Sequence, residues 1–363
     1  MSISQLHTPL DYAKAACDTL MRKFAPANLP PVGRFHYHQG VFLSGMQKTY
    51  RLCGERKYFD YIKGWVDAMI DENGCIRQYD KGQMDDIMPG LLLFDLYRET
   101  GDPRYKKALD QLMDDMLHYR RDPQGGYWHK SDLKDQMWLD GLYMGGPICV
   151  RYGAEFNMPG CFDTAIFQAL LMEKRTRDPK TGLLYHACDY SREAPWADPE
   201  TGRSGEFWGR AMGWVPVALL DELDDIPKEY FLRDQVERMI RDLLMALLPH
   251  QDMETGLWYQ VVNRGDEKEN WLETSCTCLY VAAYCKAVRL GLMDKAYLHA
   301  ARKGYEGVIH RLKENEQGLI IDGVCVGTGV GDLQHYYRRP TSQNDLHGAG
   351  AFILMCQEAA QVL

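Results

Sequence analysis

The chain has 363 residues, 45% of them hydrophobic, and sets 42 Lys and Arg against 51 Asp and Glu for a formal net charge of −9. That apolar content can build a large core in one domain or two, and the negative balance argues against a nucleic-acid or anionic-membrane partner held over the whole surface. No run approaches the ~18 consecutive apolar residues of a spanning helix, and eleven cysteines, odd in number and many inside apolar helical runs, fit reduced thiols in a cytoplasmic protein.

The first residues, MSISQLHTPLDYAK, lack a basic segment followed by an apolar one, so no secretory leader is expected. LDYAKAACDTLMRKF has a helical period. After FHYHQG, the stretch FLSGMQKTYRLCGERKYFDYIKGWVDAMI reads as helix, turn at CGERKY, helix. DENGCIRQY (71–79) is then a polar turn, a glycine and an extended piece. The same grammar follows MDDIMPG: PGLLLFDLYRETGDPRYKKALDQLMDDMLHYRR turns at TGDPRY, and DPQGGYWHK (122–130) closes it. MWLDGLYMGG opens a third unit ending in DPKTGLLYHA (178–187), and GEFWGRAMGW a fourth ending in DMETGLWYQV (252–261). ENWLETSCT opens a fifth, which turns at GLMDKAY and ends in ENEQGLIID (314–322). QNDLHGAG opens the last, apolar helix.

The turn segments recur roughly every 50 to 75 residues, a spacing of supersecondary arrays. First helices are expected near His38, Asp85, Asp140, Glu206, Trp271 and Asn344. Each is apolar nearly all round and its partner amphipathic, so the first is inner and the second outer. The sixth inner helix ends the chain, and the N-terminal helix is available as its partner. The pattern predicts an all-α fold, an (α/α)6 barrel of six helical hairpins, with residues 1–363 as a single catalytic domain. An open solenoid would need capping repeats, which the sequence lacks.

Connections from each outer helix to the next inner one are long and rich in Trp, Tyr, His and Gly, and all fall at one end of the barrel. Helix N-termini gathered there favour an anion. Taken singly, Asp85, Asp140 or Asp345 could be a cap or loop charge. His129 and His186 could be structural, and Tyr127, Trp128 and Trp258 simple packing. Arg210 lies between Trp208 and Trp214; it suits a sugar carboxylate but could equally pair with Glu206. Aromatic platforms with carboxylates suggest carbohydrate chemistry, and Asp85 with Asp140 supplies the acid pair of an ordinary glycosidase. No metal-ligand spacing appears, Cys276 and Cys278 being too close for zinc. No cofactor is expected, and activity should survive a chelator.

Together, YHQGVFL, GGYWHK, QMWLDGLYMGGP, GLLYHACD, EFWGRAMGW, ETGLWYQVV, WLETSCTCLY and NDLHGAGAFI resemble the unsaturated rhamnogalacturonyl hydrolases of glycoside hydrolase family 105, and more distantly the unsaturated glucuronyl hydrolases of family 88. The likeness runs from about Pro9 to the last helix. It implies the (α/α)6 barrel and a small oligosaccharide substrate bearing a 4,5-unsaturated uronate. In that reaction an acid protonates C4, cation character develops at C5, and water adds there; the hemiketal then opens. By position, Asp140 matches the proton donor and Asp85 the second acid, while His36, Tyr37, His129, His186, Arg210 and Trp214 match substrate contacts. Met84 and SDLKD (131–135) depart from the pattern. A donor to carbon must hold its proton near neutral pH, and Trp138, Leu139, Met144 and an ionised Asp85 would raise Asp140.

Three rivals stand beside that reading. One is a conventional glycosidase using the same acids. Another is a sugar epimerase, which also uses this barrel with histidines at the mouth. The third is a non-catalytic glycan-binding scaffold. A terpene-cyclase reading of MDDIM lacks the further metal-binding carboxylates.

Overall fold

The computed structural model describes residues 3–363. Helices α1 (Pro9–Lys23), α2 (Tyr37–Cys53), α3 (Arg56–Met69), α4 (Leu91–Thr100), α5 (Pro103–Leu117), α6 (Asp140–Glu155), α7 (Gly160–Thr176), α8 (Gly209–Glu222), α9 (Arg233–Leu247), α10 (Thr274–Arg289), α11 (Leu298–Arg311), α12 (Leu333–Tyr337) and α13 (Leu346–Val362) account for most of it. Four two-stranded antiparallel ribbons lie in the connections: β1 (Gln136–Trp138) with β2 (Ala187–Asp189), β3 (Trp258–Tyr259) with β4 (Leu272–Glu273), β5 (Lys313–Asn315) with β6 (Gly318–Ile320), and β7 (Val324–Cys325) with β8 (Thr341–Ser342).

Helix neighbours run α2–α4–α6–α8–α10–α13 and back to α2, a closed inner ring. Outside it, α3, α5, α7, α9 and α11 pack on their own inner partners, and α1 packs on α13. The fold is the expected (α/α)6 barrel, closed by joining the chain's two ends. Every residue of α8 is buried, as are all but two of α10, whereas α5 and α9 bury one stripe. Small residues permit this packing. A Cβ on Gly350 of α13 would stand 2.6 Å from the Val41 backbone of α2.

Local chemistry sets the ends. Gly54 and Gly101 take left-handed conformations (φ 70° and 68°) that close α2 and α4 into two-residue turns. Each of α3, α5, α7, α9 and α11 then runs into a turn whose leading acid or amide accepts backbone N–H groups, as Asp71 does from Asn73 and Cys75. These are the recurring turn segments of the sequence.

Three expected helix starts need correction, the fourth inner helix, α8, beginning at Gly209 rather than near Glu206. Asp85 does not open an α-helix. Residues 84–86 and 88–90 form two 3₁₀ turns, and α4 begins at Leu91, because Pro89 cannot donate to the ladder. Leu272 and Glu273 are spent on β4, so α10 begins at Thr274 rather than near Trp271.

The far end of the ring is plugged by charge. Lys48, Asp221, Lys286 and Glu358 come from the last turns of α2, α8, α10 and α13. Asp221 accepts from Lys48 at 2.8 Å and from Lys286 at 2.6 Å, with side chains 11% and 6% exposed for Asp221 and Lys286. Removing one member of a buried pair leaves the others uncompensated. Asp221→Asn should therefore lower the unfolding free energy by roughly 3–5 kcal/mol in urea denaturation near neutral pH; a loss below about 1 kcal/mol, typical of exposed pairs, would contradict this.

Candidate active site

The first acid is placed by a ribbon. In β1–β2, Trp138 pairs with Ala187, and the Leu139 N–H donates to the His186 carbonyl at 3.0 Å. This seats Asp140, the first residue of α6, beside His186. Asp140 Oδ2 lies 3.1 Å from His186 Nε2, and the other ring nitrogen lies 2.8 Å from the Tyr336 hydroxyl. His186 is fully buried, with its ring 4.8 Å from that of Trp208.

The second acid is tied to the strand segment YWHK. The Met84 N–H donates to the His129 carbonyl at 3.3 Å, and Gln83 bridges to Lys130. Asp85 thereby meets Lys130 Nζ at 2.9 Å, His129 Nε2 at 3.6 Å and His36 Nε2 at 3.9 Å. His129 stacks on Trp138, with centroids 4.4 Å apart and planes 13° from parallel. At the start of α2 the His38 ring stacks on both His36 and Tyr37, the His36 and Tyr37 rings being tilted to each other, and His36 Nδ1 and His38 Nδ1 lie 3.1 Å apart.

Arg210 is buried at the start of α8, its guanidinium over Trp208 at 4.5 Å. It donates to the carbonyls of Cys325 at 2.5 Å and Val326 at 2.8 Å. It does not pair with Glu206, which accepts from Arg264 at 2.7 Å and 3.0 Å. Trp214 stands apart from the other candidates. One turn below Arg210 the inner face of α8 is already covered, and the Trp214 ring, 1% exposed, stacks on Tyr143 at 4.6 Å. Tyr127 and Trp258 are packing residues, donating to the carbonyls of Met116 and Leu247.

The electrostatics correct one expectation. Burial does push the Asp140 carboxyl up, but the His186 hydrogen bond and the electrostatic pull of the His186 and His129 rings and of the Arg210 guanidinium outweigh it and hold Asp140 below the usual carboxylate range. Asp85 follows the same pattern: burial raises it, and His129, Lys130 and His36 bring it below its ordinary value. Unliganded, both acids are anions. The neighbouring Asp86 is pushed upward, to about 6, chiefly by burial and against the pull of Arg34. Of the inner helices, α2, α4, α6, α8 and α13 begin without a side-chain cap. Their first N–H groups add to the positive field at the mouth.

Some site members carry little or no sequence signal. Lys130 is adjacent to His129 in GGYWHK and could have been read with it. Tyr336 reaches His186 from 150 positions away, and nothing periodic marks it. His38, Asp345 and His347 are also brought together, their potential ligand atoms within 4.8 Å of one another. His347 Nε2 is committed to the Cys325 carbonyl at 3.0 Å, and Asp345 is held low by His347, His38 and Arg210 against its burial. With Arg210 already sharing that carboxylate's charge, the trio acts as a brace between α2 and α13.

A family model described as Glycosyl Hydrolase Family 88 matches residues 12–363. A solved glycoside hydrolase from family 105 of C. acetobutylicum is 34% identical, with 96% of this chain and 99% of that one aligned at a TM-score of 0.92. The Bacillus subtilis protein named unsaturated rhamnogalacturonyl hydrolase YesR is 26% identical over 80% of this chain and 79% of its own length. Protein Atu3128 of Agrobacterium fabrum is 31% identical over 60% of this chain and 98% of its length.

The histidines at the start of α2 give a pH signature. Burial pushes His36 down to about 4 and His38 to about 3, against 6.5 for an ordinary imidazole. The unfolded chain thus binds protons that the folded chain refuses, and stability falls as pH drops below about 6.5 toward those values. The loss in urea midpoint between about pH 7 and pH 4.5 should be smaller in a His36→Gln, His38→Gln double variant than in the parent; equal losses would count against the buried, neutral state of these rings.

Proposed function

The chain belongs to Glycosyl Hydrolase Family 88, its C. acetobutylicum relative placing it in family 105, and we propose from that premise that this glycoside hydrolase removes the 4,5-unsaturated uronic acid from the non-reducing end of lyase-generated oligosaccharides. The observation that carries the reading is one cluster: Asp140 on His186, Asp85 on His129 and Lys130, and a buried Arg210 whose charge reaches Asp140. The name of the B. subtilis relative supports rhamnose as the adjoining sugar, and hence lyase-cut rhamnogalacturonan as the source.

The reaction suits these residues. Arg210 spends one N–H of each terminal nitrogen on backbone carbonyls, and its remaining donors can hold the uronate carboxylate. That added anion opposes the field that keeps Asp140 ionised, so Asp140 gains its proton as substrate enters. It then protonates C4, cation character spreads over C5 and the ring oxygen, and the resulting carboxylate draws a proton from water adding at C5. His186 stabilises each carboxylate stage from Nε2. Asp85, pinned by Lys130 at 2.9 Å, is suited to holding charge and orienting the sugar. It is poorly suited to moving in as a nucleophile at C1, which disfavours a conventional retaining mechanism.

We further propose one catalytic domain over residues 1–363, no nucleic-acid partner, and a cytoplasmic site of action. Eleven cysteines without a disulfide suit a reducing compartment, and no helix among the described residues is long and apolar enough to cross a membrane.

Lyase-generated disaccharides carry a conjugated uronate whose ultraviolet absorbance disappears on hydration. The protein should bleach the unsaturated rhamnogalacturonan disaccharide faster than unsaturated disaccharides of other polysaccharides. Asp140→Asn should lose at least the 10²–10⁴-fold or so that general acid catalysis supplies, with binding retained. Near-normal turnover by a folded Asp140→Asn variant, or hydrolysis confined to saturated saccharides, would reject the assignment.

A further inference from the structure

Tyr336 belongs to none of the candidate contacts, yet it is fully buried against them. It sits on α12, a five-residue helix within the long connection between α11 and α13, capped by Asp332 through the His335 N–H at 2.7 Å. Its carbonyl accepts from Gln260 Nε2 at 2.8 Å, and its ring stacks on Trp208 at 6.0 Å. The phenol is thus fixed from both ends of its residue, and its hydroxyl is delivered to His186 Nδ1 at 2.8 Å.

The donor and acceptor accounting around that imidazole favours one arrangement. The Gly331 N–H, which can only donate, points at the Tyr336 oxygen at 3.3 Å. The phenol proton is buried, and His186 Nδ1 is the acceptor within hydrogen-bond distance of it among the described residues, so Nδ1 accepts it and the phenol is not left an unpaired donor. The opposite nitrogen, Nε2, faces Asp140 Oδ2 at 3.1 Å, and an ionised carboxylate can only accept, so Nε2 carries the ring proton.

We propose that Tyr336 is a positioning residue that fixes His186 as its Nε2–H tautomer. The imidazole then donates to Asp140 and holds it as a carboxylate until substrate arrives. The assignment rests on the reaction above for its consequence, though not for its geometry. The chemistry resembles other sites in which an outer hydrogen bond fixes the tautomer and orientation of a working histidine. Without the phenol proton, buried Nδ1 is left without a donor. The ring then loses the contact that favours its Nε2–H form, so the Nδ1–H form gains population; that form turns a lone pair toward Asp140 and makes protonated Asp140 its better partner. Charged and titratable groups that share this space are Asp140 on α6, Arg210 on α8, His129 on the preceding strand segment, Glu206 before α8 and Asp332 at the start of α12. All remain in a Tyr336→Phe variant.

Nitrogen-15 NMR of the histidine side chains reads the tautomer directly and needs no substrate. His186 is identified by the signal lost in His186→Gln. In the parent protein near neutral pH, Nε2 should be protonated and Nδ1 not. In Tyr336→Phe the pattern should mix or reverse. Turnover of the lyase-generated disaccharide should fall roughly 10- to 100-fold, as for other outer hydrogen bonds to a histidine, with KM unchanged. The pH at which kcat/KM falls on the alkaline side should move up. A parent His186 protonated at Nδ1, alone or with Nε2, overturns the proposal even if Tyr336→Phe does not fold. An unchanged tautomer and an unchanged pH profile in a folded variant overturn it too. If no unsaturated uronide is turned over, the NMR result still decides the tautomer, so failure of the proposed reaction and failure of this inference remain separable.

Discussion

The site depends on holding Asp140 charged where its side chain is only 14% exposed. An isolated carboxylate so placed would take up a proton. His186 supplies a hydrogen bond from the ribbon that pairs residues 136–138 with 187–189, and Arg210 adds its charge from α8. Those partners come from the second, third and fourth helical hairpins and the connections between them. The close approach of Gly350 to the Val41 backbone, where the last inner helix meets the first, closes the inner ring.

The two ends of the barrel divide their electrostatic work. At the closed end Asp221 is paired with two lysines and left no free valence for a ligand. At the mouth, the acids have cations that are incompletely satisfied. Arg210 keeps unused N–H groups, five inner helices begin without side-chain caps, and His129 Nδ1 is buried without a partner. In the proposed mechanism an anionic substrate completes this set and weakens the field that keeps Asp140 ionised. Under that proposal binding and acid activation are one event, and an acid ionised in the empty site serves as a proton donor once substrate is bound.

The barrel was legible because the alternation of all-apolar and amphipathic helices is periodic, and period survives folding. Boundaries slipped where a local rule intervened: Pro89 turned the region after Asp85 into 3₁₀ turns, and β4 claimed Leu272 and Glu273. Within the site, Asp85, Asp140, His36, Tyr37, His129, His186 and Arg210 lie in or beside the cluster, while Trp214 is packed on Tyr143. The protonation of Asp140 was misread for a physical reason. Sequence neighbours Trp138, Leu139 and Met144 suggested a dry environment, but the field is set by His186 and Arg210, far along the chain. Glu206 likewise found its partner 58 residues away in Arg264. Tyr336 could not have been found from spacing, since its role exists only once α12 is folded against Trp208.

The central claim is that Asp140 delivers its proton to carbon and that water enters at C5, not at the anomeric centre. One digestion in D₂O and one in ¹⁸O water, followed by mass spectrometry of the products, tests it directly. The account predicts deuterium at C4 of the released uronate and ¹⁸O in the carbonyl formed at C5, with no obligatory label at C1. Oxygen-18 at C1 with no deuterium on carbon is the signature of direct displacement at the glycosidic carbon and would contradict it.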